Sequence, residues 1–132
     1  MTRLHGSCLC RQVKFAVRGE IRGVGQCHCS QCRKVSGTNG NAVFIVHAAD
    51  FEWIEGESET VHYALPSGWS VLRCNRCGSP LPQSHDGERV WVSAGLMDEP
   101  LGTDIKMHIF CASRADWDRA ASDALEFEEW PG

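Results

Sequence analysis

A chain of 132 residues is long enough for one hydrophobic core and too short for two, and its 42% apolar and 23% charged residues belong to a folded domain rather than a disordered segment. A formal charge of −4, with the 13 Lys and Arg scattered along the chain, lacks the concentrated cationic surface that a nucleic-acid backbone requires. No apolar run approaches the ~20 residues of a membrane helix, and Met1-Thr2-Arg3-Leu4-His5-Gly6 lacks the apolar stretch of a secretion signal, so we expect a single domain over residues 1–132 that stays in the cytoplasm.

In chain order, Gln12 to Val17 alternates polar and apolar residues with Val13, Phe15 and Val17 on one side, the period of a half-buried strand. One or two helical turns are expected after Ser30. Short runs rich in β-branched or aromatic residues then predict strands at Ala42 to His47, Phe51 to Ile54, Thr60 to Leu65, Trp69 to Arg73, Arg89 to Ser93 and Ile105 to Phe110. Pro66-Ser67-Gly68 and His85-Asp86-Gly87 supply turn chemistry between them. A second helix is expected over Ser113 to Ala121, capped by Ser113 and with Asp116 near its start. In the acidic, aromatic tail, Phe127 and Trp130 are expected to cover an edge of the core. No repeat, low-complexity tract or linker interrupts the series, and the fold class it predicts is mainly β with little helix.

Eight cysteines, at positions 8, 10, 27, 29, 32, 74, 77 and 111, are too many for chance packing, and in a cytoplasmic chain they point to metal before disulfide. A Cys-X-Cys pair such as Cys8/Cys10 or Cys27/Cys29 would close a strained disulfide ring, whereas two thiolates so close can share one metal. Cys74-Asn75-Arg76-Cys77-Gly78 has the spacing of a knuckle, in which two intervening residues let both sulfurs converge and the glycine frees the backbone to turn. Thiolates are soft ligands, which favours zinc while leaving iron–sulfur clusters open on ligand type. Seven cysteines fall into groups of two, three and two. One partition keeps every group intact and completes a tetrahedron: Cys8 and Cys10 join Cys74 and Cys77, leaving Cys27, Cys29 and Cys32 as a three-sulfur site with an open position, as in a catalytic zinc site. The rival partition, a ribbon of Cys29, Cys32, Cys74 and Cys77, strands three thiols and stays open, because spacing along the chain does not determine pairing in space.

Cys111 has no near cysteine neighbour and reads as a small buried hydrophobe in the Ile105 to Phe110 region. His28 lies between two proposed ligands, but neighbours on an extended segment point to opposite sides, so it faces away from the metal. His5, His47, His62, His85 and His108 are scattered and read as surface or packing residues.

The ordered set Gly6-Ser7-Cys8-Leu9-Cys10, Cys27-His28-Cys29-Ser30-Gln31-Cys32-Arg33-Lys34, Ser36-Gly37 and Cys74-Asn75-Arg76-Cys77-Gly78-Ser79-Pro80-Leu81, continued by His108-Ile109-Phe110 and Glu128-Glu129-Trp130-Pro131, resembles the glutathione-dependent formaldehyde-activating enzymes and their centromere-protein-V-like relatives. The resemblance covers almost the whole chain. It implies an Mss4-like fold of short antiparallel sheets around two zinc ions, with Cys8, Cys10, Cys74 and Cys77 as structural ligands and Cys27, Cys29 and Cys32 at the active-site zinc. It also implies a carbon–sulfur lyase reaction, the reversible addition of glutathione, as co-substrate, to formaldehyde to give S-hydroxymethylglutathione. An open zinc suits that chemistry either by stabilising an entering thiolate or by polarising the carbonyl, and both roles stay open. Arg33 and Lys34, directly after the last ligand, either hold glutathione's carboxylates or face solvent. Pro82-Gln83 stands where the family commonly has bulky apolar residues, so the adjoining pocket is expected to differ and a related thiol or aldehyde would use the same metal. The partners expected are thus a small thiol and a small aldehyde, with no membrane. The alternatives are a non-catalytic zinc module that recognises a protein or nucleic acid, and a thiol buffer that binds metal weakly.

Overall fold

The computed structural model describes residues 2–119 and 123–131. Among them the chain forms β1 (Arg3–Ser7), β2 (Lys14–Arg18), β3 (Val24–Cys27), α1 (Ser30–Ser36), β4 (Asn41–His47), β5 (Phe51–Glu55), β6 (Thr60–Ala64), β7 (Ser70–Cys74), β8 (Arg89–Ser93) and β9 (Ile105–Ile109), with three short 3-10 turns. The fold is mainly β, as expected. The predicted runs all carry strands, and two further strands lie outside them. β1 is short and mostly polar, and β3 is Val24-Gly25-Gln26-Cys27, in which Gly25 and Gln26 are weak strand formers. Both exist because of their neighbours: β1 pairs with β2 in the register Leu4↔Val17, and β3 is held between β4 and β9.

The strands make three sheets, ordered β1-β2-β5, β8-β4-β3-β9 and β6-β7. Pairing is antiparallel except between β3 and β9, where Cys27 lies beside Ile109 in parallel register. The main core joins the first two sheets. Phe15 and Val17 of β2 meet Phe44 and Val46 of β4 and Val90 and Val92 of β8, with Ile21 beside them. Alternation along β4 and β8 sends those residues inward and sends Val43, Ile45 and Trp91 to the opposite face, which lines a cleft. A second, smaller core gathers Cys8, Val13, Cys74 and Leu81, packed against by Trp53 and Leu72.

Three local expectations are corrected. No helix forms across residues 113–119, because after a single 3-10 turn, Cys111–Ser113, the backbone of Arg114 leaves the helical region at ψ 137° and the Asp118 carboxylate is drawn to His28 and Asn39; Ala120 and Ala121 lie outside the described residues. Cys111 is exposed rather than buried, since β9 ends at Ile109 where Phe110 takes a left-handed backbone, φ 55°. Phe127 and Trp130 cover no core edge: they are 57% and 89% exposed.

Candidate metal centre

The first cysteine cluster forms where β1 turns into β2 and where β7 ends. The Cys8 amide donates to the Val13 carbonyl at 3.1 Å and the Arg11 amide to the Cys8 carbonyl at 3.0 Å, a tight turn that needs the left-handed backbone of Arg11, φ 67°. From the other side, the Gly78 amide donates to the Cys74 carbonyl at 3.0 Å, and Gly78 itself sits at φ +80°, where a side chain would be strained. The expected knuckle is present. The Sγ atoms of Cys8, Cys10, Cys74 and Cys77 all lie within 4.8 Å of one another. Cys8–Cys10 and Cys10–Cys74 are 3.6 and 3.8 Å apart. The edge of a tetrahedron with ~2.3 Å metal–sulfur bonds is ~3.8 Å, so the donor set fits a tetrahedral thiolate metal.

Polar hydrogens already aim at these sulfurs. Main-chain amides of Val13 and Arg76 approach Cys8 and Cys74 at 3.3 and 3.4 Å, and the Ser79 hydroxyl oxygen lies 3.3 Å from Cys77. Desolvation opposes ionisation of Cys77, but the Ser79 hydroxyl and amide outweigh it and bring the thiol down to about 5. At Cys10 the Gln12 amide favours the thiolate, yet desolvation and the adjoining thiols Cys8, Cys77 and Cys74 push it up to about 11. Four crowded sulfurs cannot all carry charge without a cation, which is the electrostatic case for a metal here.

The second cluster is Cys27, Cys29 and Cys32, again with Sγ atoms within 4.8 Å of one another. Cys27 ends β3, Cys29 is the N-cap of α1, and Cys32 lies in the helix's first turn, where its amide donates to the Cys29 sulfur at 3.3 Å. Burial works against the Cys29 thiolate, but the amide of Cys32 and the flanking thiols lower its pKa all the same. Burial and the same neighbours raise Cys32. Close packing fixes the strand end: a Cβ on Gly40 would lie 2.2 Å from the Cys27 carbonyl oxygen, so only glycine fits there.

His28 points away from the sulfurs, as the alternation of an extended segment requires. It is 1% exposed, its ring stacks on His108 at 5.1 Å between centroids, and its Nε2 lies 2.9 Å from His108 Nδ1. Its Nδ1 faces the Asp118 carboxylate at 3.5 Å. His5 pairs with Glu99 and His85 meets the Trp91 ring edge-on. Two anchors escape a reading of the sequence. Asp118 holds His28 between the two cysteines, and Arg73 donates to the Gly78 carbonyl of the first knuckle and to the Val35 carbonyl at the end of α1, both at 2.7 Å, tying the two clusters' scaffolds together. Only the position of an Arg immediately before Cys74 hints at the second.

Cys27 and Cys32 open onto a cleft of about 970 Å³ between the outer face of the four-stranded sheet and the β6–β7 hairpin. Val43, Ile45, Trp69, Trp91, Met107 and Ile109 form its apolar walls, and Arg18, Arg22, Arg89 and Lys106 supply cations. Arg33 and Lys34 do not line it: both are on α1, where Lys34 is exposed and the buried Arg33 Nε has no hydrogen-bond partner. Gln83 lines the cleft and exchanges backbone hydrogen bonds with Trp91, while Pro82 is fully buried behind it. No helix among the described residues is long and apolar enough to cross a membrane.

Comparison with known proteins agrees with this layout. The profile of the family described as glutathione-dependent formaldehyde-activating enzyme matches residues 3–113. A Halomonas elongata protein carrying the provisional name glutathione-dependent formaldehyde-activating enzyme is 30% identical over 124 residues, 86% of this chain and 78% of that one. A Rhodobacter sphaeroides protein solved by crystallography in a structural genomics programme shares the fold, with a TM-score of 0.61 and 18% identity over 76% of this chain and 99% of that one.

Proposed function

This chain belongs to the glutathione-dependent formaldehyde-activating enzyme family, and from that premise we propose that it is a zinc-dependent carbon–sulfur lyase that joins a thiol, most simply glutathione, to a small aldehyde. The observation that carries the reading is the pairing of a three-thiol cluster with a large cleft: two of the three cysteines line a space of about 970 Å³, enough for a tripeptide, with apolar walls and basic residues at its rim. Cys8, Cys10, Cys74 and Cys77 are proposed as the ligands of a structural zinc, and Cys27, Cys29 and Cys32 as those of a zinc with an open position.

Bound there, zinc supplies acidity to an incoming thiol or polarises the aldehyde oxygen. In the addition, the sulfur lone pair forms a bond to the carbonyl carbon, the C=O π pair moves to oxygen, and the proton released by the thiol ends on that oxygen to give an S-hydroxymethyl product. The chain's own residues position this step. Cys27 at the strand end and Cys32 in the first turn of α1 line the cleft, Cys29 at the helix N-cap would complete the set that holds the metal, and His28, locked by His108 and Asp118, keeps the intervening peptide from turning. The cations of the lining, Arg22 and Arg89 among them, suit glutathione's carboxylates, whereas Arg33 and Lys34, on α1, lie outside it.

The test is a glutathione titration of the protein loaded with two equivalents of cobalt(II), read in the thiolate charge-transfer and d–d bands, together with the rate of S-hydroxymethylglutathione formation by exchange NMR. A change in half of the cobalt signal with saturable binding, and a formation rate above the uncatalysed reaction, are expected. A spectrum indifferent to thiols would leave a metal-stabilised interaction module instead.

A further inference from the structure

The floor of the cleft is grooved, and the groove starts at Cys27. Along β3 the positions that alternate toward the cleft are Cys27, Gly25 and, just before the strand, Gly23, so beyond the cysteine the floor has no side chains. The strands on either side keep theirs. Val43 of β4 is registered with Gly25, and Ile45 follows two residues on; from the other side Met107 of β9 is registered with Gly25. The register of β3 on β9 shifts between Val24 and Gly25, and Lys106 lines the cleft together with Met107. A Cβ on Gly23 would lie 2.5 Å from the Lys106 Cγ, so the lysine's aliphatic stem closes the groove there. A Cβ on Gly25 would meet nothing nearer than the Met107 Cγ at 3.5 Å, an ordinary contact. From the cysteine to the lysine the groove spans four residues of strand, about 13 Å.

Its shape and chemistry select a narrow, unbranched, apolar occupant. Ile45 and Met107 are 50% and 60% exposed, so the walls are apolar surface left open to water. β3 is an inner strand whose amides and carbonyls are directed to β4 and β9. The floor therefore has no donor or acceptor for a peptide arm of glutathione, and an arm lying there would give up its hydrogen bonds to water without replacement. An alkyl chain gives up none, and formaldehyde has no chain to place. We propose that the carbonyl partner of this site is a straight-chain aliphatic aldehyde of about six carbons, with its carbonyl at the Cys27 end and its chain in the groove over Gly25 as far as Lys106. This rests on the lyase reading above and narrows its aldehyde. The addition keeps the same balance: the sulfur bonds to the carbonyl carbon, the thiol proton ends on the oxygen, and an S-(1-hydroxyalkyl) adduct forms with no further reactant.

Calorimetric titration of the zinc-loaded full chain with straight-chain alkyl hydroxamates tests the groove without glutathione, because the hydroxamate head takes an open metal position and the tail must find its own place. Affinity should rise about tenfold from acetohydroxamate to hexanohydroxamate, part of the full transfer gain of the added methylenes since the groove is open on one side. Gly25→Val fills the groove with a residue that favours strand. It should abolish the rise while acetohydroxamate binds as before and circular dichroism is unchanged. With glutathione present, the parent should accelerate adduct formation from hexanal, and Gly25→Val should return it to the uncatalysed rate. An affinity flat in chain length for the parent overturns the proposal whether or not the variant folds, as does a rise that survives Gly25→Val. Weaker glutathione binding by that variant assigns the groove to an arm of the thiol and also overturns it. The glutathione titration of the cobalt(II) form separates the two readings: bands that respond to glutathione beside a flat hydroxamate series sink the groove alone, whereas bands indifferent to thiols sink the lyase reading and the aldehyde with it.

Discussion

The two cysteine clusters use the same ligand and differ in everything around it. In the first, Cys8 and Cys74 are 2% exposed and belong to a core with Val13 and Leu81, and the two arms come from turns 64 residues apart, joined also by the Leu9 amide to the Ser79 hydroxyl and by the Gln12 side chain to Asn75. In the second, none of the three cysteines is buried, all come from six consecutive residues, and two face a cleft. Distance along the chain therefore runs parallel to the roles proposed for the two clusters. A metal that joins remote arms inside a core replaces hydrophobic contacts, whereas one that gathers six residues at a surface restrains little and is free to exchange a ligand.

The largest effect should come from breaking the first cluster. Cys74→Ser removes a proposed ligand whose sulfur also accepts from the Arg76 amide and the Gln12 side chain, and structural zinc supplies ~10 kcal/mol or more of folding free energy in small domains. The variant should bind neither metal tightly at neutral pH and lose its cooperative melting transition, as seen by calorimetry and metal analysis. Next comes the second cluster. Cys29→Ser should keep about one zinc equivalent by the ligand count and a melting curve close to the parent's, while formation of the thiol adduct falls by about 100-fold. Loss of both metals together with the fold would erase the distinction between the clusters.

That distinction is legible in the amino-acid sequence because it is arithmetic on spacing: only one grouping of Cys8/Cys10, Cys27/Cys29/Cys32 and Cys74/Cys77 keeps the groups whole. Strands with dense β-branched or aromatic residues are equally legible, since period and propensity agree in them. What is not legible depends on partners far along the chain. β1 and β3 have too few strand-forming residues to announce themselves and exist by pairing. Arg73 gains meaning from the Val35 carbonyl 38 residues away, and Asp118 from His28. The helix expected at Ser113 to Ala121 fails for the same reason, because a capping serine is a local signal and the pull on Asp118 is not. The tail fails differently: Phe127 and Trp130 are apolar, and apolarity alone does not guarantee burial within one chain.

A smaller effect should follow from loosening the second cluster without touching its sulfurs. His28→Ala empties a fully enclosed space beside Cys27 and Cys29, takes the ring from His108 and leaves the Asp118 carboxylate with Asn39 alone of the two partners described for it. A loss of ~2 kcal/mol in stability is expected, for the cavity and the orphaned groups together. Cobalt bands of the second cluster should broaden while those of the first stay fixed. A shift in both sets would mean that the clusters are coupled through Arg73 and are one unit.

The smallest effect should fall in the turn before β8, whose residues belong to neither cluster. The amides of Arg89 and Glu88 donate to the Asp86 carboxylate, each at 2.9 Å, and with the Arg89 guanidinium they hold its pKa down to about 2. A carboxylate with a depressed folded pKa adds stability that is fully present above its unfolded value of ~3.9 and is lost as pH falls through the folded one. Asp86→Asn should therefore lower the melting temperature slightly, and by the same amount at pH 7 and pH 5. A loss of stability of the metal-loaded parent between those two values is expected from the cysteines instead, because protons compete with metal for thiolates. If the difference between parent and variant grew or shrank between pH 7 and pH 5, the turn would be linked to a cluster, and the separation of fold from metal in this half of the sheet would not hold.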